Sequence, residues 1–402
     1  MIGDALRGKR VLVTGASGFI GGRLVERLVR DHGADVRVLV RNPSSAARLA
    51  RFPVTFHLGD VTRTLDLDKA VAGCAVVFHC AYGTTGSQKR RAWVNKVGTE
   101  RVLEAAHRAK VGRVVNLSTL MVYGQTGDGD LDETAPRRRF GNAYSDSKLE
   151  AEETALQYSR SGRVAVTVLQ PTAVYGPFGG VWTIQPLEAL KTGRMILVDG
   201  GEGLANAVYV DDLVSAMLLA AVKDAAVGEA FLISGPEALP WRELYGRFAR
   251  MLGDGPARTV SMTRDEARAH YEKHRRETRH VHQELLRTFK DDRGFRDRLM
   301  GTRELKALRE VASSILPEGV QDRIKGRMSA GGGIGSRPVP PPEDGDSLPI
   351  HPLMPQMIGF FAARTRVRID KARRLLGYEP AFSFERGMEL TEQWARWAGL
   401  LS

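Results

Sequence analysis

The first thirty residues constrain this chain more than any other stretch. Lys9-Arg-Val-Leu-Val-Thr14 is a short apolar strand running straight into Gly15-Ala-Ser-Gly18-Phe-Ile-Gly21-Gly22. Arg23-Leu-Val-Glu-Arg-Leu-Val-Arg30 follows with apolar residues at helical spacing. A strand, a glycine turn and a helix in that order are the opening of a βαβ unit. Gly15 suits the tight turn, Gly18 lets the backbone approach a pyrophosphate, and Gly21 lets the helix pack closely on the strand. The helix start offers unpaired N–H groups and a positive dipole end to phosphates. These residues point to dinucleotide binding on an α/β fold.

The alternation continues. Strands are predicted near 10–14, 35–40, 54–58, 75–79, 112–117 and 164–170, with helices between them, one of them over 143–161. That pattern predicts a doubly wound parallel sheet of the Rossmann kind. Residues 1–177 read as an NAD(P)-binding Rossmann domain, and 178–402 as a smaller C-terminal substrate-binding lobe. A strand and a helix return to the first domain near 205–235. The second strand, Asp35 to Val40, ends at Arg41-Asn42-Pro43. A carboxylate at such a strand end binds a ribose 2′-hydroxyl, whereas an arginine suits a 2′-phosphate. Arg41 therefore favours NADP(H) over NAD(H).

Asn142-Ala-Tyr144-Ser-Asp-Ser-Lys148 supplies a candidate acid/base. Four residues apart on a helix, Tyr144 and Lys148 share a face and reach one substrate atom. A free phenol titrates near 10, and an ammonium beside it is expected to draw that value toward neutrality.

With these residues assembled, the chain resembles the extended short-chain dehydrogenase/reductase family, in its epimerase/dehydratase and 3-beta-hydroxysteroid-dehydrogenase-like branch. Thr14-Gly15-Ala-Ser17-Gly18-Phe19-Ile20-Gly21 is similar to that branch's cofactor turn. Gly59-Asp60-Val61 resembles the segment whose aspartate contacts the adenine. His79-Cys80-Ala81 resembles the motif lining the nicotinamide side, and Asn95 the structural asparagine. Leu117-Ser118-Thr119 looks like the segment of the catalytic hydroxyl, carried here by Thr119. Pro171-Thr-Ala-Val-Tyr175-Gly-Pro177 and Val210-Asp211-Asp212 complete the order. The resemblance implies that Tyr144 exchanges a proton with a carbonyl or alcohol oxygen while hydride moves at the nicotinamide. Lys148 would tune Tyr144 and hold the ribose, and Thr119 would hydrogen-bond the reacting oxygen. Pro171 joins the cofactor-binding set.

Departures from the family pattern narrow the chemistry. Dehydratases place Asp-Glu after the catalytic threonine; here Leu120-Met121 stands. Ala173 replaces a common diphosphate-binding asparagine, and the stretch around Ala205 lacks the usual arginine. A reductase or dehydrogenase is favoured, with a nucleotide-sugar epimerase and a non-catalytic dinucleotide-binding protein as alternatives.

At 402 residues and 43% hydrophobic, the chain can bury a large core. Cys74 and Cys80 read as small buried residues of a reducing cytosol rather than a disulfide. No apolar run reaches membrane-span length, so a cytoplasmic protein with a small-molecule substrate is expected. A homodimer is expected too, without nucleic acid. The net charge of +12 suits anionic partners, a membrane surface among them, but no nucleic-acid module accompanies it.

Residues 254–365 break the family pattern as a basic insertion and Gly/Pro linker. Between 254 and 337, 19 Lys/Arg face 13 Asp/Glu, which accounts for half the net charge. A helical lid or dimer arm over the substrate mouth is one expectation, and a disordered or partly helical ornament is the alternative. His270, His274, His280 and His282 lack a Cys or a His-Glu-x-x-His arrangement, so no metal site is expected.

Overall fold

Val11, Leu12 and Val13 are all fully buried, as happens when a parallel strand is covered on both faces. Their strand, β1 (Arg10–Thr14), is central in a computed structural model that describes residues 3–124, 126–253, 255–291 and 348–401. The first half runs β1, α1 (Phe19–Arg30), β2 (Asp35–Val40), β3 (Thr55–Leu58), α2 (Thr64–Val71), β4 (Val76–His79), α3 (Gln88–Arg108), β5 (Arg113–Leu117), β6 (Gly129–Leu131) and α4 (Ala143–Arg160). It continues through β7 (Val166–Pro171), β8 (Ala173–Tyr175), α5 (Gln185–Thr192), β9 (Met195–Val198), β10 (Leu204–Tyr209), α6 (Val210–Val222), β11 (Ala230–Ile233), β12 (Ala238–Pro240) and α7 (Trp241–Met251). The described remainder is β13 (Thr259–Met262), α8 (Arg264–Asp291), α9 (Pro355–Ala362), β14 (Thr365–Val367), α10 (Asp370–Leu376) and α11 (Phe384–Trp397).

Seven strands form one parallel sheet in the order β11-β7-β5-β4-β1-β2-β3. The winding reverses between β1 and β4. In open sheets of this type ligands bind in the crevice at the strand ends there. Leu12, Val77, Val114 and Val168 pack with Leu67 of α2, Leu103 of α3 and Ala155 of α4. Residues of the opposite parity, Val11 and Val13, are buried as well, so helices cover both faces. Arg23 of α1 donates to the Asp211 carboxylate of α6 at 2.7 Å and 2.9 Å, tying those two helices.

Beyond the sheet, β8, β10 and β12 form a small sheet, β9 pairs with β13, and β6 pairs with β14. Trp241 is 2% exposed and sits among Trp182, Tyr245, Phe360 and Phe361, with ring centroids 4.7–5.6 Å away. Asp212, at the start of α6, accepts from the Ala381 and Phe382 amides and so holds the segment before α11. Burial pushes its carboxyl up to about 6, with those amides pulling the other way.

Two compact units divide the chain. One comprises everything up to Arg264 with 349–351 and 355 onward, so residues 178–264 fall in the same unit as the seven-stranded sheet. The other is Asp265–Leu348 with 352–354, and α8 is its described helix. Much of the expected insertion, 292–347, lies outside the described residues, and the lid or dimer arm expected there lies with it.

Candidate active site

The glycine turn sits at the carboxyl end of β1. Gly15 has φ +69°, and a Cβ there would stand 2.7 Å from the Ala81 amide nitrogen and the Cys80 carbonyl carbon. Only glycine lets β1 turn against the end of β4 so closely. A Cβ on Gly21 would clash with the Gly15 carbonyl oxygen, so α1 too is seated directly on the turn. No side chain caps α1 at Gly18 and its first turn carries no acid. Ser17 and Gly18 are exposed, Phe19 and Ile20 partly so. The first N–H groups of α1 therefore remain open beside an exposed concave turn, which fits a pyrophosphate. The Thr14 hydroxyl meets His79 Nδ1 at 2.8 Å, and His79 Nε2 meets the Thr99 hydroxyl at 3.1 Å. That chain ties β1, β4 and α3 together at the crevice.

Helix α4 brings the acid/base candidates to the neighbouring strand end. Its N-cap, Asn142, accepts from the Tyr144 and Ser145 amides at 3.0 Å and 3.2 Å. The Asp146 carboxylate accepts from the Phe140 and Gly141 amides, fixing the approach to the helix. Asn95 of α3 donates to Ser147 at 3.0 Å and accepts from the Gly83 amide at 2.8 Å. The Thr119 hydroxyl accepts from the Met121 amide at 3.3 Å and acts on the Tyr144 phenol so as to lower its pKa. Lys148 Nζ donates to the Leu117 carbonyl at 2.8 Å and stands 5.8 Å from the centre of the Tyr82 ring.

The electrostatics depart from expectation in one respect. Tyr144 is not drawn toward neutrality: although the residue is 43% exposed, desolvation around its hydroxyl pushes it up, with Thr119 pulling the other way. Lys148 directs its ammonium at the Leu117 carbonyl, and burial brings it down to about 8 while Cys80 and Glu152 act to raise it. Desolvation is the largest influence on each of these side chains, and neither shift arises from the other, so the phenol stays protonated at pH 7. Burial, followed by the Lys148 charge, lowers His79 to about 3 and keeps it neutral. Burial raises Cys80 to about 12, so it remains a thiol, and neither Cys74 nor Cys80 is paired.

The remaining candidates lie around this centre. Arg41 is exposed at the end of β2. The Asp60 carboxylate accepts from the Thr62 amide and hydroxyl, shaping the turn after β3. Val61 packs against Gly98 of α3, where a Cβ would lie 2.9 Å from it. Pro171 is buried at the end of β7. Ala81 lies beside Gly15, its amide 3.4 Å from the Thr14 hydroxyl. Leu120 and Met121 follow Thr119 in a short 3-10 turn, and Ala173 and Ala205 are buried in β8 and β10. Sequence reasoning passed over Glu152, which is fully buried one turn beyond Lys148; it stands in a run of charge that reads as a solvated helix face. Among the described residues no cluster of His, Cys, Asp and Glu could hold a metal.

Residues 11–234 match the model of the NAD dependent epimerase/dehydratase family. The chain is 34% identical over 236 residues to a 4-hydroxy-2-methyl-3-oxo-4-farnesyl-3,4-dihydroquinoline-1-oxide ketoreductase of Stigmatella aurantiaca, covering 56% of this chain and 68% of that protein. It is 31% identical over 256 residues to a 2-alkyl-3-oxoalkanoate reductase of Stenotrophomonas maltophilia, covering 61% and 76%. In fold it is similar to an epimerase of Methanothermobacter thermautotrophicus, with a TM-score of 0.65 at 20% identity over 99% of this chain and 95% of that one.

Proposed function

The chain belongs to the NAD dependent epimerase/dehydratase family of extended short-chain dehydrogenases/reductases, and we propose that within it the protein is an NADP(H)-preferring oxidoreductase acting on a carbonyl or secondary alcohol. The observation that carries this reading is the stripe of α4 that bears Tyr144 and, one turn on, Lys148, whose ammonium donates to the Leu117 carbonyl at the strand end leading to Thr119. When bound, the nicotinamide supplies or accepts the hydride. Thr119 and Tyr144 then bracket the reacting oxygen with two hydroxyls. As negative charge develops on that oxygen, Tyr144 gives up its proton to it. The Lys148 ammonium, one turn further along α4, stabilises the phenolate left behind. Asn142 and Asp146 keep Tyr144 in place by fixing the first turn of α4.

Leu120-Met121 offers neither acid nor base for eliminating water, which favours redox chemistry over dehydration. The names of the two reductase relatives support the same direction. Exposed Arg41 supports the preference for a 2′-phosphate. The active form in this reading is a homodimer: Trp93 on α3 stands 41% exposed with Arg90 over its ring, an aromatic side chain that a second copy would cover. Sedimentation equilibrium checks that, with a monomer mass rejecting it. A cytosolic location accords with the two unpaired cysteines, and cell fractionation tests it.

The decisive assay follows absorbance at 340 nm as the purified protein meets a panel of ketones with NADPH or NADH. Stoichiometric NADPH consumption, lost in Tyr144→Phe, is the expected result. Tight retention of NAD with no net consumption would point instead to an epimerase.

A further inference from the structure

Tyr144, Lys148 and Glu152 occupy successive turns of one stripe of α4. They face three consecutive residues at the end of β5: Lys148 donates to the Leu117 carbonyl, the Ser118 hydroxyl donates to Glu152 at 2.6 Å, and Thr119 acts on the Tyr144 phenol. Glu152 is fully buried and also accepts from Gln170 of β7 at 2.8 Å and from Arg137 of the loop before α4. Gln170 in turn accepts from the Tyr123 hydroxyl at 2.9 Å. An isolated carboxylate in such a place is costly, and it persists only with its hydrogen bonds and counter-charge satisfied.

Resting on the oxidoreductase reading, we propose that Glu152 is a positioning residue of this site. Its carboxylate locks α4 to the strand end carrying Thr119, and its charge keeps the Lys148 ammonium protonated. The groups facing Lys148 are Tyr82, Cys80, His79 and Glu152, and Glu152 is the single carboxylate among them. Those facing Glu152 are Arg137, Lys148 and Tyr123, with Ser118 and Gln170 as neutral donors. Arg137 is one-third exposed, so solvent shares its charge, whereas Lys148 is buried, and Glu152 acts with Cys80 to favour its charged form.

Glu152→Gln in the full chain retains the size and an acceptor oxygen but removes the charge. The expected result is a kcat lower by on the order of 10²-fold with KM changed by less than about threefold, since misplacing the reacting groups weakens the transition state rather than ground-state binding. A second arm needs no substrate: NMR titration of 13Cε-labelled lysines, with the Lys148 signal identified by its loss in Lys148→Met. Its midpoint should fall by about 1 pH unit in Glu152→Gln, because an opposite charge has been withdrawn. Ser118→Ala, which leaves the charge, should lower kcat and leave the Lys148 midpoint in place. An unchanged midpoint in Glu152→Gln, or a wild-type kcat in that variant, overturns the proposal. If Glu152→Gln does not fold, a wild-type kcat in Ser118→Ala overturns it. Should Tyr144→Phe turn over substrate as fast as wild type, the oxidoreductase reading fails, while the lysine titration still judges Glu152.

Discussion

Residue by residue, the site is governed by how much water each polar group has lost. Gly15 is the plainest case, because its φ of +69° and the backbone of Cys80 and Ala81 leave no room for a methyl group. Gly15→Ala should abolish measurable NADPH binding in a fluorescence titration while circular dichroism still reports the α/β fold. Lys148 sets the alkaline behaviour. With a midpoint of about 8, it loses its charge as pH rises past that value, and kcat should fall with it in a pH–rate profile. His79 acts at the acid end. Its folded value of about 3 lies below the ordinary 6.5, so the unfolded chain binds the extra proton between those limits. The stability it confers is full above pH 6.5 and disappears as pH falls toward 3. The melting temperature of wild type should accordingly drop more steeply over that interval than that of His79→Gln. Asp212 works in the opposite sense between 3.8 and about 6, where the folded state holds the proton.

Elements show which parts of this architecture are written locally. The strands at 10–14 and 35–40 and the helix α4 follow their sequence signals almost to the residue, because buried apolar runs, a glycine turn and an Asn cap act within a few positions. The pairings β6–β14 and β9–β13 carry no such signal: three or four residues find partners far along the chain, and only the assembled core brings them together. The same reason hid Glu152, whose partners Arg137, Gln170 and Ser118 lie 15, 18 and 34 residues away. The pairing of Tyr144 with Lys148 was legible from spacing, but the direction of the phenol's shift was not, since burial has no sequence signature of its own. At the start of α4, Asn142→Ala removes the acceptor for two amides. It should cost about 1 kcal/mol in urea unfolding and lower kcat as well, because one of those amides belongs to Tyr144.

On the scale of the whole molecule, the compact unit holding the site is interrupted once by a long excursion. Strand β13 leaves with Met262 opposite Val198, and the chain returns with Ile350 bridged to Arg194, at the head of the same strand β9. The Arg194 amide donates to the Pro349 carbonyl, and the His351 amide donates to the Arg194 carbonyl. Exit and return are therefore about 13 Å apart along one strand. Replacing 265–348 with a short Gly/Ser linker should leave a folded protein that binds NADPH within about threefold of wild type, because all the candidate site residues belong to the other unit. Calorimetric titration of the shortened chain checks this, and loss of binding would show that the excursion helps build the cofactor cleft. The closeness of those two ends also has a statistical consequence. Closing a loop costs entropy only as the logarithm of its length, so doubling the excursion would weaken the fold by about 0.6 kcal/mol. Strand β9 thus gathers both ends of the excursion, so the entropy of closing it changes little with its length.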